Sequence, residues 1–219
     1  MERKKWKEPA LPPQLEQAER PEELIYMQKV QGEAVEGWKI IAADLCGEDL
    51  REMDFHRCIF QGCRFAGCNL KGASFVDVEF RHCDFSAAKA EEARFLRCKI
   101  TDAKALGTQF ADCGFTYVTI EHSSLRQCNL SGASFAQVRL HQVDFTESWW
   151  NECRQKQLDI ADCKFIKTSF FKTELKDLDF TTSLLQGITI STEGKELKGA
   201  VVNVQQAAEL ARILGVIVR

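Results

Sequence analysis

Along the middle of the chain, large apolar residues recur at every fifth position. In the stretch CIFQGCRFAGCNL (58–70) the centres are Phe60, Phe65 and Leu70, and the register runs from Ile40 to Ile190 without an insertion or deletion. Its 31 centres comprise 14 Phe, 8 Leu, 5 Ile, 2 Ala, 1 Trp and 1 Gln, so that only Phe171 of the chain's 15 phenylalanines falls elsewhere. The position two before each centre is small or thin, mostly Ala, Cys, Ser, Thr or Val, and the other three phases are polar or small. A period of five matches neither a helix at 3.6 nor a plain strand at 2. Two inward positions at spacing two, repeated every five residues, predict a short extended face followed by a turn. Such faces bury their apolar column only by stacking, which is the solenoid solution.

The blocks CNLKG ASFVD (68–77) and CNLSG ASFAQ (128–137) resemble the pentapeptide-repeat signature, A-[D/N]-L-x-x with Phe or Leu at the centre. The resemblance covers residues 38–190. It implies an all-β fold, a right-handed quadrilateral parallel β-helix with four blocks to a coil. Residues twenty apart would then stack at ~4.8 Å, giving about 7–8 coils and a rod roughly 36 Å long. The expected organisation is an N-terminal leader and cap (1–37), the repeat helix (38–190), and a C-terminal helix and tail (191–219). On this model one face stacks Phe55, Phe75, Phe95, Phe115 and Phe135 before meeting Gln155 and Leu175. A second face stacks Ile40, Phe60, Phe80 and Ile100, and a third carries Phe65 and Phe85. Ala90 and Ala105 are small exceptions whose space Phe85, Phe95 and Phe110 are expected to fill.

Composition narrows the function. A net charge of −3 indicates neither a polybasic nucleic-acid binder nor an acidic tail. No apolar run approaches the ~20 residues that span a bilayer, and MERKKWKEPALPPQ lacks the apolar core of a secretory signal. The expected compartment is therefore the cytoplasm, where structural disulfides are rare. That bears on the ten cysteines. Nine of them, Cys58, Cys63, Cys68, Cys83, Cys98, Cys113, Cys128, Cys153 and Cys163, share the small inward phase, and only Cys46 does not. No C-x₂-C pair occurs, so a zinc or iron–sulfur site is disfavoured, and each thiol is read as a small buried hydrophobe in place of Ala. No metal, cofactor or catalytic residue is assigned. His56, His82, His122 and His141 lie on outward phases, and neither a Ser–His–Asp arrangement nor a phosphate loop is present. The chain does not read as an enzyme.

Three irregular points remain. In TESWWNECRQKQLDI (146–160), Trp150 takes a centre, Trp149 points outward, and Gln155 holds a position of buried type. This corner is either a recognition patch or a local packing adjustment, with a bulge or a water to serve the amide. Upstream, Ile25, Val30 and Val35 continue the register, and residues 1–37 are expected to cap the first coil behind a loose proline-rich leader. Downstream, Asn203 is an expected N-cap with Gln206 at the capping-box position and Gly215 at C′. Val204, Ala207, Ala208, Ala211 and Leu214 form an apolar stripe, and the tail VIVR, with Ile217, reads as a short strand.

The ending LKGAVVNVQQAAELARILGVIV resembles that of the bacterial quinolone-resistance group of pentapeptide-repeat proteins. The helix and its hydrophobic tail either seal the last coil or, as that resemblance implies, build a homodimer on Val204, Ala207, Ala208, Ala211, Leu214 and Ile217. The resemblance also implies a type II topoisomerase partner, DNA gyrase or topoisomerase IV, engaged by a rod that imitates DNA rather than by direct contact with nucleic acid. Residues 38–190 nevertheless hold 19 Lys plus Arg against 21 Asp plus Glu, and no loop interrupts the coils. The alternative is a scaffold or interaction module for a different protein.

Overall fold

Two inward side chains per five residues leave room for strands of only three residues. In the computed structural model, which describes residues 6–218, strands of that length line two faces of a parallel β-solenoid of about nine turns. Asp54–His56, Ser74–Val76, Arg94–Leu96 and Gly114–Thr116 form one face, and Ile59–Gln61, Glu79–Arg81, Lys99–Thr101 and Thr119–Glu121 the next. Every pairing between these coils is parallel with partners twenty residues apart, as in Phe55↔Phe75 and Phe60↔Phe80. The third and fourth faces are stitched by single bridges, such as Asp44↔Arg64 and Asp49↔Asn69. At Ser134–His141 and Arg154–Ala161 the strand runs through the corner for eight residues and joins the first two faces into one sheet.

The centres stack ring on ring. Phe55, Phe75, Phe95 and Phe115 follow one another at centroid separations of 5.0 Å with near-parallel planes, and Phe135 follows at 5.3 Å. Neighbouring columns meet edge to face, as Phe55 and Phe60 do at 5.6 Å. All nine phenylalanines of the expected core stack are buried, each contributing ~1.5–3 kcal/mol through its removal from water. A void of about 20 Å³ remains along the core between Phe85 and Phe145, with Ala105 in its lining.

The small inward phase has a second duty that the period alone did not reveal. The Cys98 thiol donates to the carbonyl of Phe75, that of Cys113 to Ala90, and that of Cys163 to Leu140, each 23 residues back. Thr108 and Thr168 hydroxyls make the same bond to Phe85 and Phe145. A buried carbonyl has two lone pairs, and a backbone N–H occupies only one, as in the turn bonds from Ala88 N–H to Phe85, Ala93 N–H to Ala90 and Ser148 N–H to Phe145. Cys, Thr and Ser serve the other, which Ala cannot do.

Each corner is built on a left-handed residue. Twenty-two non-glycine residues between Ala42 and Asp177 have φ from 51° to 63°, one per block, with glycines such as Gly62 filling the same phase elsewhere. Each costs roughly 1 kcal/mol of backbone strain. The strain is held by bonds between coils, as in Arg57 N–H to the Val76 carbonyl and Asp77 N–H to Leu96, both 2.9 Å. No Val, Ile or Thr occupies any of these corners, because a β-branched side chain fits this region worst. Thr182, which reaches that phase near the C-terminal end, does not adopt it.

The ends depart from expectation in four respects. The solenoid has about nine turns rather than 7–8, because terminal coils of twenty-two residues pair Glu16 with Trp38 and Asp179 with Val201. Two extra residues in each hide those coils from a period of five. Val30 is exposed: residues Pro21–Gln31 form a helix, α1, which plugs the end with Ile25 and carries Val30 on its outer side. The leader is docked, as described below. Finally, residues 216–218 form no strand. The C-terminal helix α2 (Val204–Ile213) has the expected capping box between Asn203 and Gln206, and the Gly215 and Val216 amides close its end on Arg212 and Ala211.

Candidate interaction surface

Outward side chains inherit the twenty-residue stacking, so each outward phase makes a column along the rod. In these columns opposite charges meet one coil apart. Arg64 pairs with Asp44 at 2.8 Å, Arg97 with Asp77 at 2.6 Å, Lys172 with Glu152 at 3.1 Å, and Arg57 with Glu36. The column Asp44, Arg64, Asp84, Lys104 alternates in sign at every step. Most such exposed pairs add under ~1 kcal/mol each, but together they leave no face of a single sign.

Among the described residues no group of three or more His, Cys, Asp or Glu could hold a metal ion. Burial pushes the Cys98, Cys128 and Cys153 thiols up to about 12, the Cys163 thiol to about 11 and the Cys113 thiol further still. These sulfurs stay protonated at neutral pH and are poor nucleophiles or metal ligands. Cys46 alone is exposed. His82 faces Asp102 at 3.7 Å and His141 faces Asp159 at 3.6 Å, both at the surface.

The Trp149–Gln155 corner resolves into two environments. Trp149 is 46% exposed, while Trp150 is buried. Gln155 is not core: its amide swings outward and donates to the Lys176 carbonyl at 3.1 Å. The strand nevertheless stays in register, with Phe135 opposite Gln155 and no bulge. The vacated rung is filled from the adjacent column, as the Trp150 indole stacks beneath Phe135 at 4.8 Å and 13°. The cost is local, for the Trp150 Nε1–H has no hydrogen-bond partner.

At the C-terminal end α2 rests on the last coil through Gln206 and Leu210, which lie outside the expected stripe. The Gln206 amide donates to the carbonyls of Phe180 at 2.8 Å and Ser183 at 2.7 Å and accepts from Asn203 N–H. It thereby satisfies an open end of the ladder. The stripe faces away. Val204 (86% exposed) and Ile217 (84%) are bare, Ala207 is exposed, Leu214 lies half exposed against Gly194, and Ala208 and Ala211 are half-buried.

One arrangement had no counterpart in the sequence reading. Residues 6–15 run back along the edge between the first two faces. Asp77, at a corner, accepts from Ala10 N–H at 2.9 Å and from Arg97 Nε and Nη2 at 2.6 Å each. Burial opposes its ionisation, but these donors outweigh it and hold the carboxyl below its ordinary value of 3.8. Lys7 sits 4.4 Å over the Tyr117 ring, and Arg139 lies 4.7 Å from the Trp6 ring. The only sequence signal was compositional: three prolines beside a Trp–Lys pair.

A family model described as "Pentapeptide repeat region" matches residues 40–110 and 73–143. Among solved structures, full-length QnrB1, a plasmid-mediated fluoroquinolone resistance protein, is similar at 19% identity and a TM-score of 0.37, over 92% of this chain and 95% of that one. HetL, a pentapeptide repeat protein involved in heterocyst differentiation regulation from the cyanobacterium Nostoc, matches at 12% identity and TM-score 0.37, over 81% and 97%. A pentapeptide repeat protein of the Arabidopsis thaliana thylakoid lumen matches at 21% and 0.33, over 85% and 91%. No significant match is found among curated proteins.

Proposed function

The chain belongs to the pentapeptide-repeat family, and from that premise we propose that it is a non-enzymatic rod that works by binding other proteins. The observation that carries this reading is the surface itself. A rigid stacked core displays flat outward columns of paired charges, and among the described residues no cluster of His, Cys, Asp or Glu that could hold a metal ion. Two copies join end to end through the bare face of α2 and the tail, where Val204, Leu214 and Ile217 would leave water together. Among the described residues no helix is long and apolar enough to cross a membrane.

The finer reading is a type II topoisomerase partner. Duplex DNA carries one negative charge per ~1.7 Å, so a coil rising ~4.8 Å would need about three net charges to match it. Residues 38–190 differ by only two between acidic and basic residues. Engagement of a topoisomerase by this rod would therefore rest on shape and particular contacts, not on imitation of charge. A supercoiling assay with purified gyrase, with and without a quinolone, decides it. Inhibition or protection at micromolar protein supports the topoisomerase. Neither effect removes that partner and leaves the scaffold reading. For the dimer, light scattering on Ile217→Asp should show a monomer where the parent chain is a dimer, and a parent monomer overturns the assignment.

A further inference from the structure

The N-terminal arm meets the rod at four places along its course. Glu16 and Gln17 pair with Trp38 and Lys39 on the first coil. Ala10 then meets Asp77, Lys7 meets Tyr117, and Trp6 meets Arg139. Ten residues thus cover about five coils, some 24 Å at ~4.8 Å each, within the ~31 Å that ten residues reach as polyproline II. Pro9, Pro12 and Pro13 favour that extended form and remove amide donors, so this segment cannot simply add a strand to the sheet. The receiving edge is preformed. Asp77, Arg97 and Tyr117 occupy one corner phase on successive coils, each with φ of 51° to 56° and each tied by its N–H to the next coil. Arg97 orients Asp77 from below while the arm's amide takes its remaining reach. The arm itself is lightly seated. Ala10, Pro13 and Gln14 are exposed, Trp6 is half-buried, and the first fully buried side chain is Ala18.

We propose that the edge from Asp77 to Arg139 is a docking groove for an extended, proline-rich peptide carrying an aromatic–lysine pair. Residues 6–15 occupy it in cis, and a protein partner presenting a segment of the same chemistry binds by displacing them. This rests on the reading of the rod as a protein-binding module. The chemistry of the occupant is set by what the groove offers. A carboxylate oxygen receives a backbone amide, a tyrosine face receives an ammonium, and a guanidinium covers an indole. The tether gives the arm an effective concentration of order millimolar, so a few contacts keep the groove covered until a competitor arrives.

The test uses a labelled synthetic peptide of residues 6–15, WKEPALPPQL, against the full chain and its full-length Trp6→Ala/Ala10→Pro variant. Ala10→Pro removes the bonded N–H without changing charge and follows Pro9, which already favours the extended form. The variant should bind the peptide at least tenfold more tightly than the parent, whose own arm competes. Adding Tyr117→Ala should abolish that gain. In hydrogen exchange the parent should protect the Ala10 amide, and the variant should lose protection over residues 7–11 while the rod stays protected. Equal affinity for parent and variant, indifference to Tyr117→Ala, or an unprotected Ala10 amide in the parent would each overturn the proposal. A chain that takes the peptide but leaves gyrase untouched keeps the groove and loses only the topoisomerase partner. A chain that acts on gyrase with no peptide site does the reverse.

Discussion

The coils from Phe55 to Phe135 and the turn from Trp150 to Leu175 solve one packing problem in two ways. In the first, every rung of the column is a phenylalanine over its own predecessor at 5.0–5.3 Å. In the second, the rung belonging to Gln155 is empty, and Trp150 crosses from the next column to fill it. Columns in this core lie only 5–6 Å apart at their ring centroids, so one large indole reaches two of them. A square solenoid can therefore lose a rung without losing its register, provided an adjacent corner supplies the volume.

Three substitutions probe that difference, starting with the greatest expected loss. Phe95→Ala removes a ring sandwiched on both sides and should cost ~3–5 kcal/mol in urea unfolding. Trp150→Ala should cost a similar ~3–5 kcal/mol, since it opens two columns at once. A loss under ~1 kcal/mol at Trp150 would mean that the indole does not bridge them. Gln155→Phe restores the repeat on paper, yet it should destabilise by ~1–3 kcal/mol, because Trp150 already occupies the space. A gain in stability there would break the comparison outright.

The thiols give a sharper measure of how uniform the core is. A thiol reagent should titrate one cysteine, Cys46, in the native chain and all ten after denaturation. Since burial raises thiols such as Cys98 from 9.0 to about 12, the folded chain binds these protons more tightly than the unfolded one. Their contribution is complete below pH 9 and is lost as pH rises towards about 12. Stability should fall across that alkaline window, and Cys98→Ala should reduce the slope. The smallest effect lies at the arm. Asp77 has a lowered pKa, so its share of stability is present above 3.8 and disappears as pH falls below it. Protection of the Ala10 amide relative to its intrinsic exchange rate should fall in that acid range, with little change in the protection of the rod.

The sequence was a good guide where each block repeats the same local demand. Phe60, Phe65 and Cys63 could be placed inside, and Gln61 and Arg64 outside, from spacing alone. The corner residues were legible in principle, through the absence of Val, Ile and Thr from one phase. That signal is an absence spread over many blocks and broken once, by Thr182, and it is easily missed beside a column of phenylalanines. Gln206 shows the opposite case. An amide inside an apolar helix stripe reads as surface, and only the meeting of Gln206 with the carbonyls of Phe180 and Ser183 on the last coil makes it the anchor.

The five-residue period by itself determined the solenoid, its columns and the inward place of nine thiols, because identical neighbours must bury identical faces. Tertiary structure alone decided where the period fails. It set the Trp150 crossing, the twenty-two-residue terminal coils and the docking of Trp6, Lys7 and Ala10 along the edge. Those features depend on residues far apart in sequence meeting at distances that no local pattern encodes.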